Sequence, residues 1–502
     1  MSRPILQDAV RAEAVIRSFL KASRRPAVLD PGQAPLELRH DNYALEWRGG
    51  RLMLEAWNDT QNLVRRIAGV REHKRGRLEL IIERFGGRRG LLLLADLERG
   101  DRAALERYSL RQTLRERLRR ALSRQWPDWV VAELSCEAHL EESLSPAYAR
   151  AMLRRGRQGW AALMAPSDPS AASGALSFGL LWLDYLRRKQ QRLFIQGLIL
   201  FLPDGSEETT CLRLAWLDPD VAEFRVYVYS EEGGEEPVDP ADHGNLDTRL
   251  EELTRPHPDR PPLAPWAEGL TRIPGVECVS RQDGNLSLRV RGLEFARLKG
   301  SALRFGLNRY IPARKSKLEE VKELARELAR LRSAEAADRS HPLYRLQPER
   351  WLESQVRANI QRIDASLLPE PIYSQVPAVA GVERGVMDLL AVDQTGRLAV
   401  LEIKASADLH LPLQALDYWM RVRWHLERDE FTPRGYFPGI ALRPDPPRLL
   451  LIAPALEFHP TTETILRYLS PAVDVERVGL GVEWREDLQV VFRVRGAQRP
   501  ES

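Results

Sequence analysis

Along the 502-residue chain the spacing of apolar positions changes period repeatedly, and each change predicts an element. Residues 1–25 carry the amphipathic pattern of a short helix. From about 36 to 97 the pattern becomes that of strands: YALEW, RLMLEAW, RLELIIERF and RGLLLLADL, parted by Gly or polar turns, with the basic stretch LVRRIAGVREHKRGR between them. Residues 102–125 return to a helical period, with Leu110, Leu114, Leu118 and Leu122 recurring every fourth residue. A second basic helix is expected around Arg150, Arg154, Arg155 and Arg157, and PSDPSAASG at 166–174 reads as a flexible break. A helix over 176–192 and strand-like runs over 194–202, 209–216 and 223–229 follow. After them come the acidic loop EEGGEEPVDPADHG, the Pro-rich linker RPHPDRPPLAP and a hairpin over 286–307. KSKLEEVKELARELARLRSAE is a strongly charged helix that reads as a connector.

The last third is the most regular. PERWLESQVRANI predicts an amphipathic helix, and residues 385–404 a hairpin about the turn Asp393-Gln394-Thr395-Gly396-Arg397. A helix is expected to start at Leu411-Pro412, because Pro is tolerated in the first turn. RLLLIAPAL, VDVERVGL and LQVVFRV read as strands and TTETILRYL as a helix. These elements predict a multidomain chain of α/β and α+β class. A β-rich and helical first part spans 1–165, a mixed domain 175–310, the charged helix 315–340 and an α/β domain 341–502.

Composition narrows the class. A hydrophobic share of 43% and a charged share of 29% are those of a globular protein and exclude chain-wide disorder. The three cysteines, Cys136, Cys211 and Cys278, are far apart and form no zinc pattern; a reducing compartment is expected. MSRPILQDAVRAEAV has no long apolar core of a signal peptide, and the apolar run 193–202 is too short for a bilayer, so a cytoplasmic protein without membrane contact is expected. The net charge of +4 is uneven: +12 over 1–200, −5 over 201–340 and −3 over 341–502. A basic first part suggests a polyanionic partner, nucleic acid, gripped by Arg111, Arg115 and Arg119. The same arginines also fit a solvated helix face.

The chemistry concentrates in GVMDLLAVDQTGRLAVLEIKASADLHLPLQALDYW, residues 385–419. Pairing the strands symmetrically about Thr395 sets Val392 against Leu398, Leu390 against Val400 and Asp388 against Glu402. Side chains alternate along a strand, so these share one face, and Lys404 follows on the same side. Like charges placed directly opposite each other are destabilising, and a buried carboxylate costs free energy unless paired. Mg²⁺ or Mn²⁺ would remove the conflict, since oxygen donors at this density suit a hard divalent cation. On the following helix Gln414 and Tyr418 are four apart and share a face. His410 lies in the loop beside them.

A helix carrying Glu353, a hairpin with Asp388 and Glu402-Ile403-Lys404, and a helix with Gln414 and Tyr418 together resemble the PD-(D/E)XK nuclease superfamily; the Gln-x-x-x-Tyr element is similar to its RecB-like branch. The resemblance covers about 345–495 and implies a restriction-endonuclease-like mixed sheet flanked by helices. It implies metal ligation by Asp388, Glu402 and the Ile403 carbonyl, catalysis by Lys404, assistance from Glu353, and orientation of substrate by Gln414 and Tyr418. It also implies Mg²⁺- or Mn²⁺-dependent cleavage of DNA, and in some members of RNA. Met387 stands before the aspartate where the family often has Pro. Two other classes stay open: a nucleic-acid-binding scaffold with a retired nuclease fold, in which the charges form a salt-bridge cluster, and a small-molecule phosphodiesterase. Oligomeric state, including a homo-oligomer, is left open as well.

Overall fold

The computed structural model describes residues 3–30, 36–57, 62–74, 76–83, 89–98, 102–230, 233–241, 248–250, 252–253, 269–280, 285–299, 302–313, 315–380 and 383–497. The Pro-rich linker lies outside these residues. The protein is a mixed α/β chain, whose described residues form sheets of seven, six, seven and five strands. It divides into two compact units: residues 1–206 with 225–237, and residues 207–224 with 238–502. The segment read from sequence as a single domain over 175–310 therefore contributes to both.

In the first unit, a seven-stranded antiparallel sheet is covered by the helix Arg3–Ala22, which buries Ala9, Ala12, Ile16 and Phe19 against Leu52, Leu54, Ile67 and Leu80. The basic stretch LVRRIAGVREHKRGR supplies that sheet with the strand Asn62–Lys74. A six-stranded sheet follows, with the helix Arg102–Gln125 on the face of Ile199 and Phe201. The helix Pro169–Lys189 covers the other face, where Gly179 lies tight against Leu198 and Leu200. The leucine stripe is buried only in its second half: Leu118 and Leu122 are enclosed, whereas Leu110 is 68% exposed. A four-residue repeat drifts by about 40° per step around a 3.6-residue helix, so one stripe cannot face one sheet throughout.

Three sequence expectations fail here. The residues Arg150, Arg154 and Arg155 lie in the strand Ala149–Arg155, paired with Gln158–Met164 in an antiparallel hairpin that turns at Gly156 (φ +61°). An Ala- and Met-containing segment has helical propensity, and pairing with neighbouring strands overrides it. PSDPSAASG is no break: Asp168 caps a helix by accepting the Ala171 N–H at 2.9 Å, with Pro in the first turn. Residues 208–214 form a helix and not a strand. It buries Thr210, Cys211, Arg213 and Leu214, spaced as one helical face.

In the second unit, a five-stranded antiparallel sheet (Val276–Ser280, Leu286–Val290, Leu293–Lys299, Ala302–Phe305, Ile311–Ala313) packs on the helix Leu318–Leu331. Val321, Ala325 and Leu328 of that helix are fully buried with Leu288, Val290 and Phe295, so it is a core element and not a free connector. The other sheet is mixed. Its order is Thr248–Leu250, Tyr373–Ala380, Glu383–Val392, Leu398–Ile403, Arg448–Pro454, Asp474–Leu480, Val490–Arg495. The three central pairings run antiparallel, then parallel, then parallel. The parallel step from Leu398–Ile403 to Arg448–Pro454 is bridged by the helix Leu411–Glu427. The opposite face of the sheet is covered by the helix Pro348–Ala358, whose Trp351, Leu352 and Val356 pack with Leu389, Leu401 and Ile403. Among the described residues no helix is long and apolar enough to cross a membrane.

Candidate active site

The hairpin that carries the acidic residues is set by its turn. Asp393 Oδ1 accepts the Thr395 and Arg397 N–H groups at 2.8 and 3.0 Å, and Gly396 adopts φ +86°. A Cβ there would come within 2.2 Å of the Ala441 carbonyl, so glycine is required. The turn fixes the register: Val392 pairs Leu398 and Leu390 pairs Val400, as symmetric pairing about Thr395 anticipates. The ladder ends at Leu389–Leu401, one residue short of Asp388 and Glu402, and beyond it Asp388 Oδ2 accepts the Ile403 N–H at 2.9 Å.

Glu402 lies on the fourth of seven strands, in a run of six buried residues, and is 1% exposed. Its Oε2 is buried without a hydrogen-bond partner among the described residues. Lys404 Nζ stands 3.5 Å from Glu402 Oε1 and 3.7 Å from Asp408. An unsatisfied buried carboxylate oxygen is costly, and the titration of the group reflects it. Burial, reinforced by the charge of Asp388, pushes Glu402 well above the usual carboxylate range. Asp388 is pushed up to about 6 by burial, against the pull of the Ile403 N–H, Lys404 and Arg350. Burial alone would lower Lys404, but the charges of Glu402, Glu349, Asp408 and Asp388 outweigh it and hold the ammonium above its usual value.

Glu353 joins from the helix under the sheet. It is 5% exposed, and Arg350 Nη1 donates to its Oε2 at 3.1 Å. Burial, with the charge of Asp388, raises it to about 7 against the pull of Arg350. Glu353 thus faces the protein interior and not the solvent. From the helix Leu411–Glu427, Gln414 Nε2 donates to Tyr418 Oη at 3.3 Å. Tyr418 is buried and raised by burial and by the charge of Glu402, which ties both residues to the carboxylate side. Pro in the first turn starts this helix as the sequence implies, with His410 exposed at its cap.

The site thus gathers Asp388, Glu402, Lys404, Glu353, Gln414 and Tyr418. Sequence reading missed Glu349, whose charge acts on Asp388, Glu402 and Lys404. The signal was present: Glu349 and Glu353 are four apart and share a helix face. Among the described residues no group of three or more His, Cys, Asp or Glu stands at metal-ligand spacing. The arginines named in the first unit are half-buried on Arg102–Gln125. Arg119 Nε donates to Glu116 at 3.0 Å and Arg115 Nη1 lies 3.9 Å from the same carboxylate; Arg111 also has interactions of its own. No protein-family model matches the chain, and no curated protein matches it.

Proposed function

We propose that residues 341–502 form a PD-(D/E)XK-type, restriction-endonuclease-like domain that hydrolyses phosphodiester bonds, in DNA by preference, with Mg²⁺ or Mn²⁺. The observation that carries the reading is Glu402: a carboxylate 1% exposed, with an orphaned Oε2, beside a second raised carboxylate and an ammonium. Buried charge of this kind is a poor source of stability and a common mark of function. The donors fit a hard cation in kind: Asp388, Glu402 and the Ile403 carbonyl would hold it, with water completing its shell. When bound, the ion would supply an acidified water and neutralise phosphoryl charge. The chain's own residues do the rest. Lys404, held charged by four carboxylates, offers an ammonium to the developing charge on the phosphodiester. Glu353, raised to about 7, is able to exchange a proton near neutral pH. Gln414 and Tyr418, joined to each other, orient the substrate side of the site.

The scaffold reading has one observation in its favour, the lack of a preformed three-ligand group among the described residues. Incubating the purified protein with Mn²⁺ or Mg²⁺ and labelled single-stranded, duplex and branched DNA and RNA separates the two. Cleavage that is abolished by Lys404→Ala, with the fold and binding retained, is the expected result. Binding without cleavage, or cleavage undiminished in Lys404→Ala, refutes the nuclease reading.

A further inference from the structure

The five-stranded sheet of the second unit is docked on the helix that carries Glu349 and Glu353. Two contacts define the docking. Gly292, in the turn between Leu286–Val290 and Leu293–Lys299 (φ +75°), lies so close to the helix that a Cβ would stand 1.9 Å from the Arg350 carbonyl oxygen. Ser354 Oγ donates to Glu277 Oε1 at 2.5 Å. Arg350 and Ser354 are one helical turn apart, and Glu353 lies within that turn.

Opposite this turn of helix the sheet presents Arg289. Its backbone pairs with Glu277 on one side and Glu294 on the other, and the ladder is bulged between Leu288 and Arg289. Bulges re-aim a side chain and recur beside active sites. Arg289 Nε donates to Ser287 Oγ at 2.9 Å, and Ser287 in turn donates to Glu294, so the guanidinium is held by its own sheet. It is largely buried, and the charge of Glu353 acts on it more strongly than those of Glu294, Arg350 and Glu277. Two cations thus act on Glu353: Arg350, hydrogen-bonded to it on its own helix, and Arg289 of the sheet, through its charge.

We propose that Arg289 is a positioning residue: through it the five-stranded sheet fixes the Glu353 carboxylate for the reaction at the Asp388–Glu402–Lys404 site. The inference rests on the nuclease reading for its catalytic consequence; the Arg289–Glu353 pairing rests on the docking contacts of Gly292 and Ser354 and on the charge that each of the two exerts on the other.

The test uses the full-length chain and four variants: Arg289→Met, Arg289→Lys, Glu353→Gln and the double variant Arg289→Met/Glu353→Gln. Metal-free chemical unfolding of the parent, the two single variants and the double variant forms one cycle. The expected result is non-additivity of at least about fivefold in the unfolding constant, within the range of residues in contact. Additive effects overturn the pairing, whatever the protein cleaves. In cleavage assays, Arg289→Met lowers kcat about 10- to 100-fold, the range for a misplaced catalytic group, with KM within about threefold. Arg289→Lys recovers part of the loss, and Arg289→Met costs nothing further in the Glu353→Gln background. A raised KM with unchanged kcat, or independent losses in the double variant, overturns the positioning role. If the parent cleaves no substrate, the nuclease reading fails, and the unfolding cycle alone decides whether Arg289 holds Glu353.

Discussion

Replacing Asp388 by Asn removes one negative charge from the centre of the site and keeps an oxygen able to accept the Ile403 N–H. In the folded protein the aspartate is pushed up to about 6 from its ordinary 3.8. Each unit is about 1.4 kcal/mol, so the charged form is disfavoured by about 3 kcal/mol relative to the unfolded chain. The sign follows from proton linkage. Between the two values the folded state holds more protons than the unfolded state, so stability falls as pH rises through that window and levels off above about 6. Between pH 4.5 and 7.5 the accessible part is about 2 kcal/mol. The asparagine variant loses this slope. Its stability relative to the parent should therefore improve by about 2 kcal/mol from pH 4.5 to 7.5, a relative rise of roughly 4–8 °C in melting temperature. Loss of repulsion on Glu402 acts in the same direction. The assay is unfolding of both proteins in chelator at the two pH values. Comparing differences cancels the pH-independent effect of the amide. A gap that stays constant, or widens against the variant at pH 7.5, would show that Asp388 is a satisfied structural carboxylate and would remove the main electrostatic argument for a cation site.

Three further outcomes follow from the geometry. Gly292→Ala forces a Cβ onto the Arg350 carbonyl and a left-handed φ onto alanine; a loss of about 1–3 kcal/mol in chemical unfolding is expected, and a neutral result would undo the docking described for the five-stranded sheet. Asp417→Ala leaves Arg213 without the carboxylate that receives its Nε and Nη2 at 2.8 and 2.7 Å; both are buried, so a loss of about 3–5 kcal/mol is expected, and a change under about 1 kcal/mol would refute it. Reversing Arg111, Arg115 and Arg119 to Glu should weaken nucleic-acid binding alike for all sequences and flatten its salt dependence, by roughly one unit of log–log slope per lost phosphate contact; an unchanged slope would mean that these arginines serve the helix and its neighbour Glu116.

The hairpin was legible because it is a local object. Its register follows from a five-residue turn and a period of two, and counting carries it to the Leu389–Leu401 pair beside Asp388 and Glu402. Gln414 and Tyr418 were legible because four residues is one helical turn. The failures share the opposite property. Arg213 counts as a polar position in a pattern analysis, yet it is buried by Asp417, 204 residues further on. Once it is scored as buried, residues 208–214 read as a helix. The segment 149–164 is a hairpin because strands on either side claim it, and Arg289 is brought to the side of the Glu353 helix only through the docking of a separate sheet. In each case the deciding partner is remote, and no window of sequence contains it.

The residues 207–224 belong to the second unit although the chain makes them between two parts of the first. Their partners are made late: Trp216 packs edge-on against Trp419 at 4.8 Å, and Leu217 bridges to Leu469. On a ribosome adding roughly 5–20 residues per second, the interval between residue 224 and residue 469 lasts on the order of 10–50 s. Through that interval Trp216 and Leu217 are made, but Trp419 and Leu469, on which they pack, are not yet both present. Biosynthesis of this protein therefore separates one short, half-apolar segment in time from residues that pack on it in the fold.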